Sequence, residues 1–309
     1  MKIVECVPNF SEGVDLSKIQ EITNVIKSVP NVKLLDVDPG ADTNRTVVTF
    51  VGTPDSVLIA AFESIKKASQ ILDMQTHSGA HARMGATDVC PFIPINNVTM
   101  EECVELSKKL GYRVGRELKI PVYLYENSAT HISRINLANI RSGEYEGMSE
   151  KLNDENWKPD FGPSKLNLKA GVTAIGAREF LVAYNINLNT HDKKMATDIA
   201  LDIREAGRAK RNAEGKFVRK ADGTIVKVPG SLIATKAVGW YIDEYSQAQV
   251  SMNLTNINKT SIHQAFDEVC SQSQKRGLRV TGSELVGLIP LSAMLDAGKY
   301  FLAKQGQTA

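Results

Sequence analysis

The sequence predicts an α/β protein (α+β, ferredoxin-like in part) built from two sequential β-α-β-β-α-β lobes, each a mixed sheet with helices on one face. Two observations carry this. Short apolar segments rich in Val, Ile, Phe and Tyr alternate with segments whose apolar residues recur every three or four positions. That order runs twice, on either side of a polar, Gly- and Pro-containing stretch at 141–172, which reads as a long irregular connection. The lobe boundary is placed near 175–180, giving an N-terminal subdomain 1–178 and a C-terminal subdomain 179–309.

In chain order, KIVECVPNF reads as a strand running into a loop, and LSKIQEITNVIKSV as a helix with apolar positions 16, 19, 22, 25, 26 and 29. VKLLDVDPG and RTVVTFVGTP give two strands, the first stopped at Pro39-Gly40. SVLIAAFESIKKASQIL is a second amphipathic helix and DVCPFIPI a further strand. Thr99, with Glu102 three residues on, makes a capping box that opens a third helix, which leads to the strand PVYLYE. Beyond the polar stretch come the strand FLVAYNINL, the helix KKMATDIALDIREAG, the strand pair in AVGWYIDEYSQAQVSMNLTN, the helix SIHQAFDEVCSQSQKRG and the strand LRVTGSELVGLI. KFVRKADGTIVKV, 216–228, has two alternating arms about Asp222-Gly223 and predicts an exposed hairpin.

Lys and Arg total 37 against 35 Asp and Glu, a net charge of +2, too balanced for general attraction to nucleic acid or to an anionic membrane. No uncharged apolar run reaches membrane-spanning length, and MKIVECVPNF lacks the regions of a signal peptide, so the cytoplasm is expected. Cys6, Cys90, Cys103 and Cys270 stand apart without a C-x-x-C pair, which fits reduced, buried thiols. The strongest local charge bias lies between Arg204 and Lys227, where eight basic residues face three acidic ones; a solvated hairpin explains it as well as an anion surface does.

HSGAHARMGATDVCPFIP, residues 77–94, holds two histidines four apart, then an arginine, an aspartate and a cysteine. His77 and His81 would share a helix face and could chelate a metal, but Gly79 opposes a helix and no zinc-peptidase glutamate stands between them. Cys90 lies in the apolar VCPFIP, where burial raises a thiol's pKa and works against a nucleophile. There remains a loop histidine for acid/base work, which spacing alone does not separate from an inert one. Asp88 reads as shaping the turn before the strand. In DVDPGADTNRT, 36–46, Asp36 and Asp38 point to one face at a strand end, followed by Asn44 and Arg45; turn chemistry would select the same residues. DFGPSKLNLKAG, 160–171, has no phosphate-loop spacing. NINL, 185–188, and SMNLTN, 251–256, set polar residues in apolar strands, as any half-exposed sheet would.

ECVPNFSEG (5–13), LLDVD (34–38), TNRTVVTFVG (43–52), HARMGATDVCPFIP (81–94), PVYLYE (121–126), GEYEG (143–147), PDFGPS (159–164), NINL, GWYIDEY (239–245) and GSELVGLIP (282–290) occur in an order that resembles the formiminotransferase family of folate enzymes, across essentially the whole chain. The resemblance implies transfer of a formimidoyl group from N-formimidoyl-L-glutamate to N5 of tetrahydrofolate, giving 5-formimidoyltetrahydrofolate and glutamate in histidine degradation. It also implies two α/β subdomains with a folate cleft between them, a homodimer, tetrahydrofolate as co-substrate and no metal. A stand-alone form without a cyclodeaminase domain is expected, with the basic hairpin as an insertion relative to fused members.

By the resemblance, the catalytic histidine of the H-x-R-M-G segment is His81, and the folate-binding stretch maps to Gly162, Pro163 and Ser164 and runs to Gly171. Between Lys165 and Ala170 the match is loose, and His77 receives no role. Asp38 is the candidate for orienting His81 or stabilising the cationic amidine, and Arg83 and Arg45 are candidates by type and position for the substrate carboxylates. A formyl-transferring or 5-formyltetrahydrofolate-handling relative, or a non-catalytic folate binder, are the alternatives.

Overall fold

A computed structural model describes residues 1–306. The chain clusters into two compact units, Met1–Glu179 and Phe180–Ala309.

In the first unit, β1 (Ile3–Cys6) and β2 (Asn9–Phe10) form one interrupted strand that occupies a single place between two neighbours. It leads to α1 (Leu16–Lys27), whose N-terminal amides are capped by the Asp15 carboxylate and whose Ile19, Ile22 and Ile26 are buried. Then come β3 (Val32–Gly40), β4 (Arg45–Gly52), α2 (Pro54–Ile71) with proline at its start, and β5 (Thr87–Asn96). The capping box forms at the head of α3 (Met100–Arg113): Thr99 Oγ1 accepts from the Glu102 amide at 3.2 Å, and the Glu102 carboxylate accepts from the Thr99 amide at 2.9 Å. One π-helical turn, Val114–Leu118, joins α3 to β6 (Val122–Glu126).

The strands lie in the order β3, β4, β1/β2, β5, with antiparallel pairing throughout; this is the ferredoxin-like part. The stretch expected to be irregular contains structure instead. After the short helices α4 (Ile132–Ile135) and α5 (Leu137–Arg141) comes α6 (Glu144–Lys151), then a 3₁₀ turn at Glu155–Trp157. Only Met148 of α6 is buried, so the sequence carries almost no apolar period to announce it. β7 (Thr173–Ala177) then enters between β5 and β6 and runs parallel to both, so the mixed pairing of this sheet is created by β7. The main core packs Val4, Phe10, Val48, Phe50 and Phe92 beneath α1, α2 and α3, and Tyr123, Tyr125, Met148 and Ala174 form a smaller cluster.

The second unit is β8 (Val182–Leu188), α7 (Lys193–Ile203), the two-residue strands β9 (Arg208–Ala209) and β10 (Lys227–Val228), β11 (Thr235–Ile242), β12 (Gln247–Leu254), α8 (Ile262–Gln274), β13 (Val280–Val286) and α9 (Leu291–Lys304). Its sheet runs β11, β12, β8, β13 and is antiparallel at every pairing, so mixed pairing is confined to the first unit. Each crossover skips one position, which a strand of opposite direction occupies. Val182, Tyr184, Ile186 and Leu188 face Ile199, Ile203, Ala265 and Val269. Residues of the opposite alternation bond among themselves: Trp240 Nε1 donates to Gln249 (2.8 Å), and Gln249 Nε2 to Asn187 (2.7 Å). The polar positions of NINL are thus satisfied across the strands. The expected hairpin forms as well, with Arg219 bridging Ile225 and Gly223 taking the left-handed turn position (φ +82°).

Candidate active site

The HSGAHARMG segment follows α2 as a loop, so His77 and His81 do not share a helix face. His77 Nε2 lies 2.9 Å from the Asn44 carbonyl oxygen and His81 Nδ1 lies 2.7 Å from that of Ala82. Each ring is thus tied to its own backbone acceptor. His77 is a half-buried loop residue.

Four other segments hold this loop in place. Asn44, in the left-handed region at φ +46°, accepts from the Gly13 amide through Oδ1 (2.9 Å) and donates through Nδ2 to the Ser78 carbonyl (2.8 Å). Ser11 Oγ donates to the Gly85 carbonyl at 2.8 Å. Tyr145 joins two segments: its amide donates to the Arg83 carbonyl (2.9 Å) and its hydroxyl to that of Leu168 (2.7 Å). Gly171 sits at φ +70° with its α-carbon turned so that a Cβ would lie 2.3 Å from the Met84 carbonyl oxygen. Only glycine fits there. Gly171→Ala is therefore expected to destabilise the first unit by ~2 kcal/mol or more, read as a lowered thermal midpoint; an unchanged midpoint would mean that this approach is not needed.

Asp88, fully buried, is the electrostatic centre of the site. Its Oδ2 accepts from Arg45 Nη1 at 2.7 Å and from Arg141 Nη2 at 2.5 Å, while Oδ1 accepts from the Met84 amide at 3.0 Å. Burial pushes its pKa up, but Arg141 and Arg45 outweigh that and hold the carboxyl down at about 2. Arg45 is 8% exposed and also donates through Nε to Asn9. His81 feels the opposite balance: burial, then the charges of Arg45 and Arg141, lower its pKa to about 3 against the smaller effects of the Ala82 carbonyl and Asp88. At neutral pH it is an uncharged imidazole. Because a carbonyl can only accept, Nδ1 carries the proton and Nε2 presents its lone pair.

Among the residues predicted from sequence, the structure brings His81 and Arg45 into one electrostatic group and sets Gly171 against Met84 in the same loop system. Asp38 is half-buried on β3, opposite Val47 of β4. Arg83 is committed elsewhere: its guanidinium grips Glu146 at 2.7 and 2.8 Å and Glu144 at 3.0 Å, fastening α6 to the loop. That grip, most of all its hydrogen bond, draws the Glu146 pKa down to about 2. Gly162 and Pro163 line a groove of about 520 Å³ with Tyr112, Arg116, Lys119 and Phe161; His81, Arg45 and Arg141 are not part of its lining. Cys90 is buried 3.5 Å from Cys6, whose thiol burial pushes well above its usual range; both belong to the core.

Sequence reasoning missed Arg141 and the weight of Asp88. An aspartate in ATDVCPFIP, a run buried on both faces, was itself a signal, because a fully buried carboxylate requires cationic or amide partners. Arg141, 53 residues further along, gave none.

The site is thus an uncharged histidine beside two arginines that share a fully buried aspartate, on a ferredoxin-like sheet extended by two parallel strands. Residues 3–178 match the family described as formiminotransferase domain, N-terminal subdomain, and residues 183–309 match the formiminotransferase domain. The chain belongs to the formiminotransferase family. It is 49% identical to formimidoyltransferase-cyclodeaminase of Dictyostelium discoideum over 98% of its length, but spans 53% of that protein, about half the length of several of the curated relatives it matches. It is 44% identical to glutamate formimidoyltransferase of Streptococcus pyogenes over 97% of this chain and 93% of that one, and 42% identical to glutamate formimidoyltransferase of Thermoplasma acidophilum over 99% and 94%.

Proposed function

We propose that this chain is a glutamate formimidoyltransferase: it moves the formimidoyl group of N-formimidoyl-L-glutamate to N5 of tetrahydrofolate, releasing glutamate and 5-formimidoyltetrahydrofolate, as a step in histidine degradation. The observation that carries the mechanism is the neutral imidazole of His81, with Nδ1–H spent on the Ala82 carbonyl and Nε2 left as a base. Relatives covered over more than nine tenths of their length bear this activity in their names.

In the reaction, N5 attacks the amidine carbon and a new C–N bond forms while Nε2 takes the N5 proton. The resulting imidazolium returns a proton to the glutamate nitrogen, the old C–N bond breaks, and glutamate leaves as an amine with His81 neutral again. A base with so low a pKa in the free protein is strengthened when an anionic substrate offsets Arg45 and Arg141. Asp38 is assigned to the amidinium or to His81, and Arg45 to a substrate carboxylate. Arg83 would have to release Glu146 to take one, which weakens its assignment. The folate stretch is assigned to Gly162, Pro163, Ser164 and Gly171, supported by the groove beside the first two. No helix among the described residues is long and apolar enough to cross a membrane; the buried thiols at Cys6 and Cys90 suit a reducing, cytoplasmic setting, and the family resemblance supports a homodimer.

The test is an assay with tetrahydrofolate that offers formimidoylglutamate and formylglutamate in turn. Turnover is expected with the amidine donor. Turnover with the formyl donor alone would replace this reading by the formyl-transferring one, and folate binding without turnover of either would leave a binder.

A further inference from the structure

Two guanidiniums share the one fully buried carboxylate of Asp88, Arg45 nearly buried and Arg141 partly exposed, so the cluster carries a net positive charge. A purely structural tie between α5 and the sheet would need one arginine; a second like charge adds repulsion and desolvation without a counter-ion. Arg141 also leaves its Nε buried without a hydrogen-bond partner. An unmade hydrogen bond on a buried guanidinium nitrogen is costly unless a ligand completes it. His81 stands within the field of both arginines.

We propose that Arg141, braced with Arg45 through Asp88, binds a carboxylate of the amino-acid donor next to His81. This rests on the transferase reading and adds to it a residue and a charge-matching rule: an incoming carboxylate neutralises the cluster and at the same time makes His81 a stronger base. Catalysis is thereby tied to the arrival of a dicarboxylate.

The test uses the full chain and two probes, glutarate and formimidoylglutamate. Titration calorimetry of glutarate is expected to show binding to the wild type, weakened roughly 10- to 100-fold in Arg141→Met, the range of one charged hydrogen bond, and by less in Arg141→Lys, which keeps the charge. In the first variant Arg45 still pairs with Asp88, and the second preserves the local charge balance as a check on folding. The Michaelis constant for formimidoylglutamate should rise in parallel while that for tetrahydrofolate holds. By NMR, saturating glutarate should raise the His81 pKa in the wild type and leave it unmoved in Arg141→Met; a merely structural arginine would not produce that difference. Unchanged glutarate affinity in both variants, or a rise confined to tetrahydrofolate, which would put the folate's own carboxylate there, overturns the proposal. If the wild type fails to turn over formimidoylglutamate, the transferase reading falls, whereas Arg141-dependent glutarate binding would still identify the anion site.

Discussion

His81→Ala is expected to lower kcat by about 10²- to 10⁴-fold, the range for loss of a positioned acid/base group, while the Michaelis constants change little. Steady-state kinetics on both substrates decides it; unchanged kcat would remove His81 from the chemistry. The pH dependence sharpens the expectation. With burial, Arg45 and Arg141 holding its pKa near 3, His81 in the free protein contributes no inflection to kcat/KM between pH 5 and 8. An acid limb near 6.5, assignable to His81, would mean that its surroundings are far less positive than the structure has them. The same shift bears on stability. Below pH 6.5 the unfolded chain takes up a proton that folded His81 refuses, so this residue's contribution to stability declines as pH falls from about 6.5 towards 3. His81→Gln removes the difference. Relative to the wild type, that variant should be more stable at pH 5 than it is at pH 7.5, as measured by thermal midpoints.

The β-α-β-β-α-β order was legible because its helices are amphipathic and its strands are half-buried or end in turn residues, which leaves period and punctuation in the sequence. Asp15, Thr99 and Glu102 cap where such residues usually do. β7 was not legible. TAIGA is short and small because it slides between β5 and β6 with both faces covered, and a Cβ at Gly176 would lie 2.5 Å from the Tyr125 carbonyl oxygen. Burial on both faces erases alternation, and tight insertion selects against the bulky β-branched residues that signal a strand. α6 was hidden for the opposite reason: it is fastened by Arg83 to Glu144 and Glu146 more than by an apolar face. At the site, His81 in its loop and Arg45 at the first position of β4 each stand within a short polar motif, which makes them legible. The Arg45–Asp88–Arg141 cluster joins residues 43 and 53 positions apart, and long-range charge pairing leaves no local spacing to read.

Asp88→Asn is expected to cost about 3–5 kcal/mol, the usual penalty for removing one side of a buried ion pair, and to lower the thermal midpoint by roughly 10 °C. The asparagine oxygen can still accept from the Met84 amide, but its NH₂ would then point donors at the donors of Arg45 and Arg141, leaving two guanidiniums without an anion. If the loss comes from like charges stranded together, then deleting one of them should recover part of it. Asp88→Asn combined with Arg141→Met is therefore expected to be more stable than Asp88→Asn alone, and the double-mutant cycle should depart clearly from additivity. A purely steric defect at position 88 would give additive losses instead. Acid behaviour supplies an independent check. Asp88 is held near 2 in the fold against an ordinary 3.8, so its stabilisation is present above pH 3.8 and is lost as pH falls through about 2. The asparagine variant has no such proton to take up, and its stability should fall less steeply below pH 4 than that of the wild type. If instead the two chains lose stability in parallel, the carboxylate is not charged in the fold, and the cluster cannot set the basicity of His81 in the way its geometry implies.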